Sequence, residues 1–494
     1  MTIKRTTWVL GLVGAAILGG AVTWHNHQRG ILTRSKQVKR AHPVVRQRQI
    51  PTKRLMAGVI EGFYGPKWSF SATTRMFRFM HHQGLNTFVY APKSAPYLRA
   101  QWNLLYPAAR LKRLARLVNS ARHNDIHFVC SISPGLSIQY SSLQDQKELL
   151  SKINQLWSVG VHRIMLSFDD IPSTLSGQDA VIYHNNLALA QSDLTDKIYT
   201  LQLQEGHAVQ MLFTPTVYSG VQNNAYWQTL KTHLNSHIPV IWTGPQVLSK
   251  AITGKEVRAV QADIGHSLVI WDNYPVNDYT YVILHHPQLF MGPLLGRSPN
   301  MINSIRGYLF NPMLQPYASE ISLSTGAQFL RNPKAYRPTL AWQDAFSRWK
   351  PPIKQAMQSF AGANSVSFLA SVPLDQLSGN VGSFWSSYHH HGNLLRTPLY
   401  TQFVRWNHNA YVLQHTLSGP LYHELAPWIQ IYQNEAKLAI QVIHLLETPK
   451  ASDATQIHQI IAQQQKINAS ANQLGVHTIL SQWFAKAIAK VPGQ

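Results

Sequence analysis

The sequence predicts an α/β chain: a (β/α)8 barrel over residues 55–335, followed by an all-α helical bundle over residues 336–494. Three observations predict it. Eight short apolar runs separated by helical patterns fill about 275 residues, close to the roughly 250 that such a barrel takes. Each run ends in polar residues. Beyond about residue 335 only helix-length periodicity remains.

The runs are MAGVIEG from Met56, NTFVYAP from Asn86, HFVCSIS from His127, RIMLSFDD from Arg163, AVQMLFTPT from Ala208, PVIWTG from Pro239, SLVIWDN from Ser267 and GYLFNP from Gly307. They are nearly continuous in hydrophobicity, as parallel strands buried on both faces must be. Between the first two, FSATTRMFRFMHHQG predicts a helix with Ser71 as N-cap, Met76, Phe77, Phe79 and Met80 inward, and Gly84 just past its end. The Pro-rich joint RNPKAYRPTLAW then closes the strand pattern, and LAWQDAFSRWK from Leu340 and LYHELAPWIQIYQNEAKLAIQVIHLLE from Leu421 begin helices. Trp385, Trp406, Trp428 and Trp483 are expected in the core of that helical part. His389, His390 and His391 are consecutive, which no single ion can use on a regular element, so a solvated loop is expected.

Charge separates the first 54 residues from the rest. Of 44 Lys+Arg and 21 Asp+Glu, this arm holds eleven cations and no acid, leaving 33 against 21 in the remainder. Lys4 and Arg5 precede an uncharged stretch from Thr6 to Trp24, which reads as a signal or membrane anchor with a basic linker after it. An extracellular or cell-surface location is the expectation. A nucleic-acid partner is not, because the excess charge gathers beside an apolar segment. Cys130 is the only cysteine, so intramolecular disulfides and cysteine metal sites are excluded. Its place inside a strand predicts a small buried hydrophobe.

The C-terminal face of a barrel carries the chemistry. There the runs place Glu61, Gly62, Phe63 and Tyr64; Lys93; Ser133; Asp169 and Asp170; Thr214, Thr216 and Tyr218; Trp242 and Thr243; Trp271, Asp272 and Asn273 with Asp278 beyond; and Asn311. No histidine stands at a strand end, which disfavours a metal-dependent hydrolase, and no metal or organic cofactor is expected. Two adjacent acids with Trp68, Trp102 and Trp271 able to face a ligand suggest glycoside hydrolysis, acids moving protons and flat rings holding sugars.

The segments GVIEGFYGPKWSF, YAPK, ISPG, SFDDI, WTGPQV, WDNYPVNDY and NPMLQPYAS, in that order through about residue 345, resemble family 84 glycoside hydrolases, the β-N-acetylglucosaminidases. The resemblance implies a retaining, substrate-assisted mechanism in which the 2-acetamido oxygen of a GlcNAc glycan or glycoprotein attacks the anomeric carbon to form an oxazoline. By the same match Asp169 orients the acetamido group, and Asp170 is the general acid and then base, its pKa expected to be raised by burial and by Asp169. Tyr218 and Asn273 would contact the acetamido group; Asp278, Lys93, the Gly62 backbone and Asn311 would hold hydroxyls; Trp271 and Tyr64 would wall the pocket. The family carries acids after the lysine where Ser94 and Ala95 stand here, which puts the support of Lys93 in question. Two other readings stay open on the sequence: an endo-acting cell-wall or hyaluronan glycosidase, and a catalytically silent GlcNAc-binding surface protein.

Overall fold

The computed structural model describes residues 55–491 apart from 284, 286, 372, 449–458, 468 and 470–477. The expected signal or anchor and basic linker of residues 1–54 lie outside the described residues.

Each of the eight apolar runs is a strand: β1 (Met56–Glu61), β2 (Thr87–Tyr90), β3 (His127–Ile132), β4 (Arg163–Ser167), β5 (Gln210–Thr214), β6 (Val240–Trp242), β7 (Leu268–Asp272) and β8 (Gly307–Phe310). They pair in parallel in chain order, and β8 closes on β1 with Met56 opposite Gly307. Every strand helps to fill the barrel, with Ile60, Val89, Val129, Met165, Leu212, Ile241, Val269 and Leu309, and Ala91 and Trp271 join the same cluster. Such a plug makes the interior a core rather than a pore. Close strand approach requires Gly58, because a Cβ there would lie 1.6 Å from the Thr87 carbonyl oxygen. Cys130 is fully buried, as expected, and burial pushes its thiol up to about 12.

Seven longer helices accompany the strands: α1 (Phe70–Gln83), α2 (Ala108–His123), α3 (Leu143–Trp157), α4 (Leu187–Gln204), α5 (Ala225–His233), α6 (Gly254–Ile264) and α7 (Pro316–Arg331). The cap of α1 corrects the sequence reading. Ser69, in an extended conformation, accepts from the Ala72 N–H at 3.1 Å, so Ser71 falls inside the first turn. Gly84 ends the helix with φ +74°, as expected.

The C-terminal region is helical: α8 (Ile353–Ala363), α9 (Leu377–His389), α10 (Pro398–Thr416), α11 (Gly419–Glu447) and α12 (Thr478–Ile488). Trp406 and Tyr432 pack with ring centroids 4.6 Å apart, and Trp483 meets Phe403 and Phe384. Trp406, Trp428 and Trp483 are core, whereas Trp385 is only half-buried, with the Lys486 ammonium 4.3 Å from its ring. Glu424 on α11 accepts from the Tyr317 and Ala318 N–H groups in the first turn of α7 and so caps a barrel helix. His389, His390 and His391 are exposed where α9 ends.

Candidate active site

The site is built where β4 runs out. Asp169 follows the buried Phe168, and Asp170 takes φ +53°, a left-handed conformation that is uncommon outside glycine. The turn is pinned from β5, for the Phe168 N–H donates to the Thr214 carbonyl and the Thr216 hydroxyl donates to the Phe168 carbonyl at 2.8 Å. Adjacent side chains on such a turn point differently, and the two acids acquire different partners.

Asp169 is 5% exposed. Its Oδ2 is ion-paired with Lys93 from the end of β2, a lysine that is itself buried. Its Oδ1 is buried without any hydrogen-bond partner. A buried acceptor in that state is costly to keep unless something arrives to donate to it. Asp170 is held by two phenols: the Tyr64 hydroxyl donates to Oδ2 and the Tyr218 hydroxyl to Oδ1, each at 2.8 Å. Lys93 stands 4.0 Å from Asp170 Oδ2.

These contacts correct the expected acid strength. Burial pushes the Asp170 carboxyl up, but Lys93, the Tyr64 and Tyr218 hydroxyls and Arg99 together outweigh it and hold the carboxyl below its ordinary value. Asp169, the neighbour expected to raise it, arrives with its own counter-charge in Lys93. Both phenols are pushed well up, first by burial and then by the Asp170 charge, so they remain donors at neutral pH.

The other residues singled out in the sequence are gathered around this pair. The Tyr64 N–H donates to Asp278 at 2.8 Å, and burial raises that carboxyl to about 6. The Gly62 N–H donates to Asn311 Oδ1, Asn311 Nδ2 donates to Asn273 Oδ1, and Asn273 Nδ2 donates to the Val247 carbonyl. Asn273 and Asn311 therefore tie the ends of β1, β7 and β8 to the loop after β6, and only their remaining amide capacity is free for a ligand. Trp271 packs against Gly62 so closely that a Cβ at Gly62 would lie 2.3 Å from its ring, and Lys93 stands 5.7 Å from the same ring. Trp68 and Trp102 are buried, with indole N–H groups given to the Leu314 carbonyl and the Ser137 hydroxyl, so they fasten loops.

Sequence reasoning passed over Arg99, whose Nη2 donates to the Tyr64 hydroxyl at 3.3 Å while its guanidinium lies 5.5 Å from that ring. It is the next cation after Lys93 in the loop following β2, and that spacing was the available signal. Also missed was the buried foundation under Asn273, where Asp272 is paired with Arg297 and accepts from the Tyr308 hydroxyl. No trio of His, Cys, Asp or Glu is gathered as a metal ligand set among the described residues.

A strand-end cluster with one buried carboxylate oxygen lacking a donor, a second carboxyl beside it, and aromatic and polar neighbours is suited to an amide-bearing sugar. Comparison with known proteins points the same way. The sequence profile of a family described as beta-N-acetylglucosaminidase matches residues 57–362. The Protein O-GlcNAcase of Rattus norvegicus and that of Mus musculus are each 34% identical to this chain over 286 residues, 57% of this chain and 30% of theirs. The chain thus spans just under a third of the length of these curated relatives. Among solved structures, a mutant of the Thermobaculum terrenum O-GlcNAc hydrolase superposes with a TM-score of 0.80 at 28% identity, covering 89% of this chain and 94% of that one. The structure named CpGH84B superposes at 0.73 with 24% identity over 89% and 77%, a likeness of fold.

Proposed function

The chain belongs to the beta-N-acetylglucosaminidase family, and from that premise we propose that it is a retaining glycoside hydrolase that releases terminal β-linked GlcNAc by substrate-assisted catalysis. The observation that carries the reading is the unpartnered Asp169 Oδ1, buried next to Asp170 on a carboxylate whose other oxygen is paired with Lys93.

The acetamido N–H of a bound sugar donates to Asp169 Oδ1, which turns the acetamido oxygen toward C1 and stabilises the positive charge that builds on the nitrogen. That oxygen attacks C1 while Asp170 gives its proton to the departing glycosidic oxygen, leaving an oxazoline. Asp170 then takes a proton from water as the water opens the oxazoline at C1, and the β configuration returns. Alignment of an intramolecular nucleophile supplies much of the acceleration. In the free protein Asp170 is a carboxylate bound by two phenols. Sugar entry adds burial, the influence that already pushes this group up, and brings a glycosidic oxygen that competes for contact with Asp170. The proton is therefore acquired with the substrate. Asp278, Lys93 and the Gly62 backbone bind the outer hydroxyls, Tyr218 and Asn273 border the acetamido group, and Tyr64 and Trp271 form the walls. Export or tethering through residues 1–54 belongs to the same proposal and rests on the uncharged Thr6–Trp24 stretch.

The test is hydrolysis of aryl β-N-acetylglucosaminides whose acetyl methyl carries zero to three fluorines, beside the plain β-glucoside. Fluorine weakens the acetamido oxygen as a nucleophile, so kcat is expected to fall with each one and the glucoside to be inert. A rate indifferent to fluorination, or a glucoside cleaved as fast, would defeat the proposal.

A further inference from the structure

Between Gly62 and Asn124 the chain has no aspartate or glutamate and ten Lys/Arg. This stretch runs from the loop after β1 through α1, β2 and the loop after it to the end of α2. Three of the ten have assignments already: Arg75 is paired with Glu320, Lys93 with Asp169, and Arg99 stands behind Tyr64. The remaining seven, Lys67, Arg78, Arg110, Lys112, Arg113, Arg116 and Arg122, are exposed and make no ion pair among the described residues.

Several of these cations are crowded together. Arg113 and Arg116 place their guanidiniums 5.9 and 5.2 Å from the same Phe70 ring, and the Arg110 guanidinium lies 5.2 Å from the Tyr97 ring. The Lys67 side chain is exposed only in part: burial pulls its ammonium down, Glu61 draws it up, and Arg113 and Arg110 lower it again. Arg110, Lys112 and Arg113 also occupy the first two turns of α2, the end where the helix dipole repels cations, and that first turn has no acid. Apart from the pull of Glu61 on Lys67, like charge of this density is self-repelling, and a counter-charge from outside relieves it.

Its location says what that counter-charge accompanies. In a (β/α)8 barrel each helix begins on the face where the preceding strand ends, so the N-terminus of α2 lies at the catalytic rim. Arg110 covers Tyr97; two residues on, Arg99 donates to Tyr64, and Tyr64 donates to Asp170. Cations thus continue from the rim to the catalytic carboxyl. A bilayer pressed on this rim would close the entrance, whereas a polymer carrying the sugar lies along it.

We propose that this cationic sector binds an anionic glycan carrier, so that the GlcNAc removed is a terminal group on a sugar or polyol polymer with one oxyanion, phosphate or carboxylate, per repeat. Arginine dominates the sector, and its planar fork pairs with either oxyanion. The proposal rests on the hydrolase reading and names the class of substrate for it.

The experiment uses the full chain and the triple variant Arg110→Gln, Arg113→Gln, Arg116→Gln, none of which touches the catalytic pair. Four substrates are compared: an aryl β-N-acetylglucosaminide, a neutral GlcNAc oligomer, a GlcNAc-bearing phosphodiester-linked polyol oligomer, and a GlcNAc-terminated oligomer with alternating uronates. The wild type is expected to prefer at least one anionic carrier over the neutral oligomer by about ten-fold in kcat/KM at low salt, within the range electrostatic focusing supplies. That preference is expected to vanish at high salt and in the triple variant, through KM, with aryl hydrolysis unchanged; which carrier responds tells phosphate from carboxylate. Equal kcat/KM on neutral and anionic carriers, or a preference that survives the triple substitution, overturns the proposal. So does a charge effect confined to anionic vesicles or to acidic GlcNAc-peptides, which would assign the sector to a membrane or a protein. If the wild type cleaves no substrate, the hydrolase reading fails by itself. Titration of both carriers into Asp170→Asn protein with and without the triple substitution still reads the sector, and unchanged binding overturns it.

Discussion

Asp169 and Asp170 are neighbours in sequence with opposite duties, and leaving-group dependence separates them. Asp169→Asn removes the anionic oxygen that meets the acetamido N–H in every substrate. A hydrogen bond to a charged group contributes about 1.5–3 kcal/mol. In a site as dry as that around Asp169 Oδ1, preorganised contacts of this kind reach about 3 kcal/mol or roughly 10²-fold in kcat. The loss is expected to be equal for aryl glycosides with good and poor leaving groups, because the acetamido group reacts in all of them. Asp170→Asn removes the proton donor. Its loss is expected to be small for a dinitrophenyl glycoside, whose phenolate departs unaided, and about 10²- to 10⁴-fold for a methoxyphenyl glycoside. The assay is kcat/KM across a series of phenols of graded acidity for wild type and both variants, plotted against phenol pKa. A flat offset for Asp169→Asn and a steepened slope for Asp170→Asn are expected. The reverse pattern would refute the assignment of roles, and parallel slopes in all three proteins would refute general acid catalysis by Asp170. Because Asp169→Asn leaves the buried Lys93 with Asp170 at 4.0 Å as its other acid, thermal unfolding is recorded alongside to separate lost chemistry from lost fold.

Two further outcomes follow from the packing. Gly62→Ala would drive its Cβ to 2.3 Å from the Trp271 ring; overpacking of this kind costs about 1–3 kcal/mol, and moving that wall is expected to raise KM at least as much as it lowers the melting temperature. Unchanged KM would mean that Trp271 does not line the sugar site. Glu61 is fully buried, with Oε1 accepting from the Trp68 N–H, and burial raises its carboxyl to about 8. Its folded pKa lies above its unfolded one, so its contribution to stability is complete below about 4.5 and is lost as pH rises through about 8. Glu61→Gln removes that titration, and melting temperatures from pH 5 to 9 are expected to show the variant gaining on the wild type as pH rises. A constant difference across that range would show that Glu61 is ionised throughout.

The eight strands were legible because burial on both faces forces uninterrupted apolar runs, and MAGVIE, RIMLS or LVIWD has no other economical place in a soluble fold. The identity of the polar residues at the strand ends was legible as well, since barrel closure collects all C-terminal ends on one face. Partner choice was not. Lys93 and Asp169 are 76 residues apart, Tyr64 and Asp170 are 106 apart, and no local periodicity carries the fact that closure brings them into contact. The expected high pKa of Asp170 failed for that reason: adjacency of two acids is a sequence fact, whereas the lysine and two phenols that neutralise and bind them arrive from β2, β1 and β5. The fastening role of Trp68 and Trp102 was hidden for the same reason, because it depends on their indole N–H groups reaching Leu314 and Ser137. Composition and hydrophobic order along the chain determined the barrel, its mouth and the residues standing there. Which of them are charged, shielded or left open to a sugar depends on distances between strands, and those exist only once the barrel has closed.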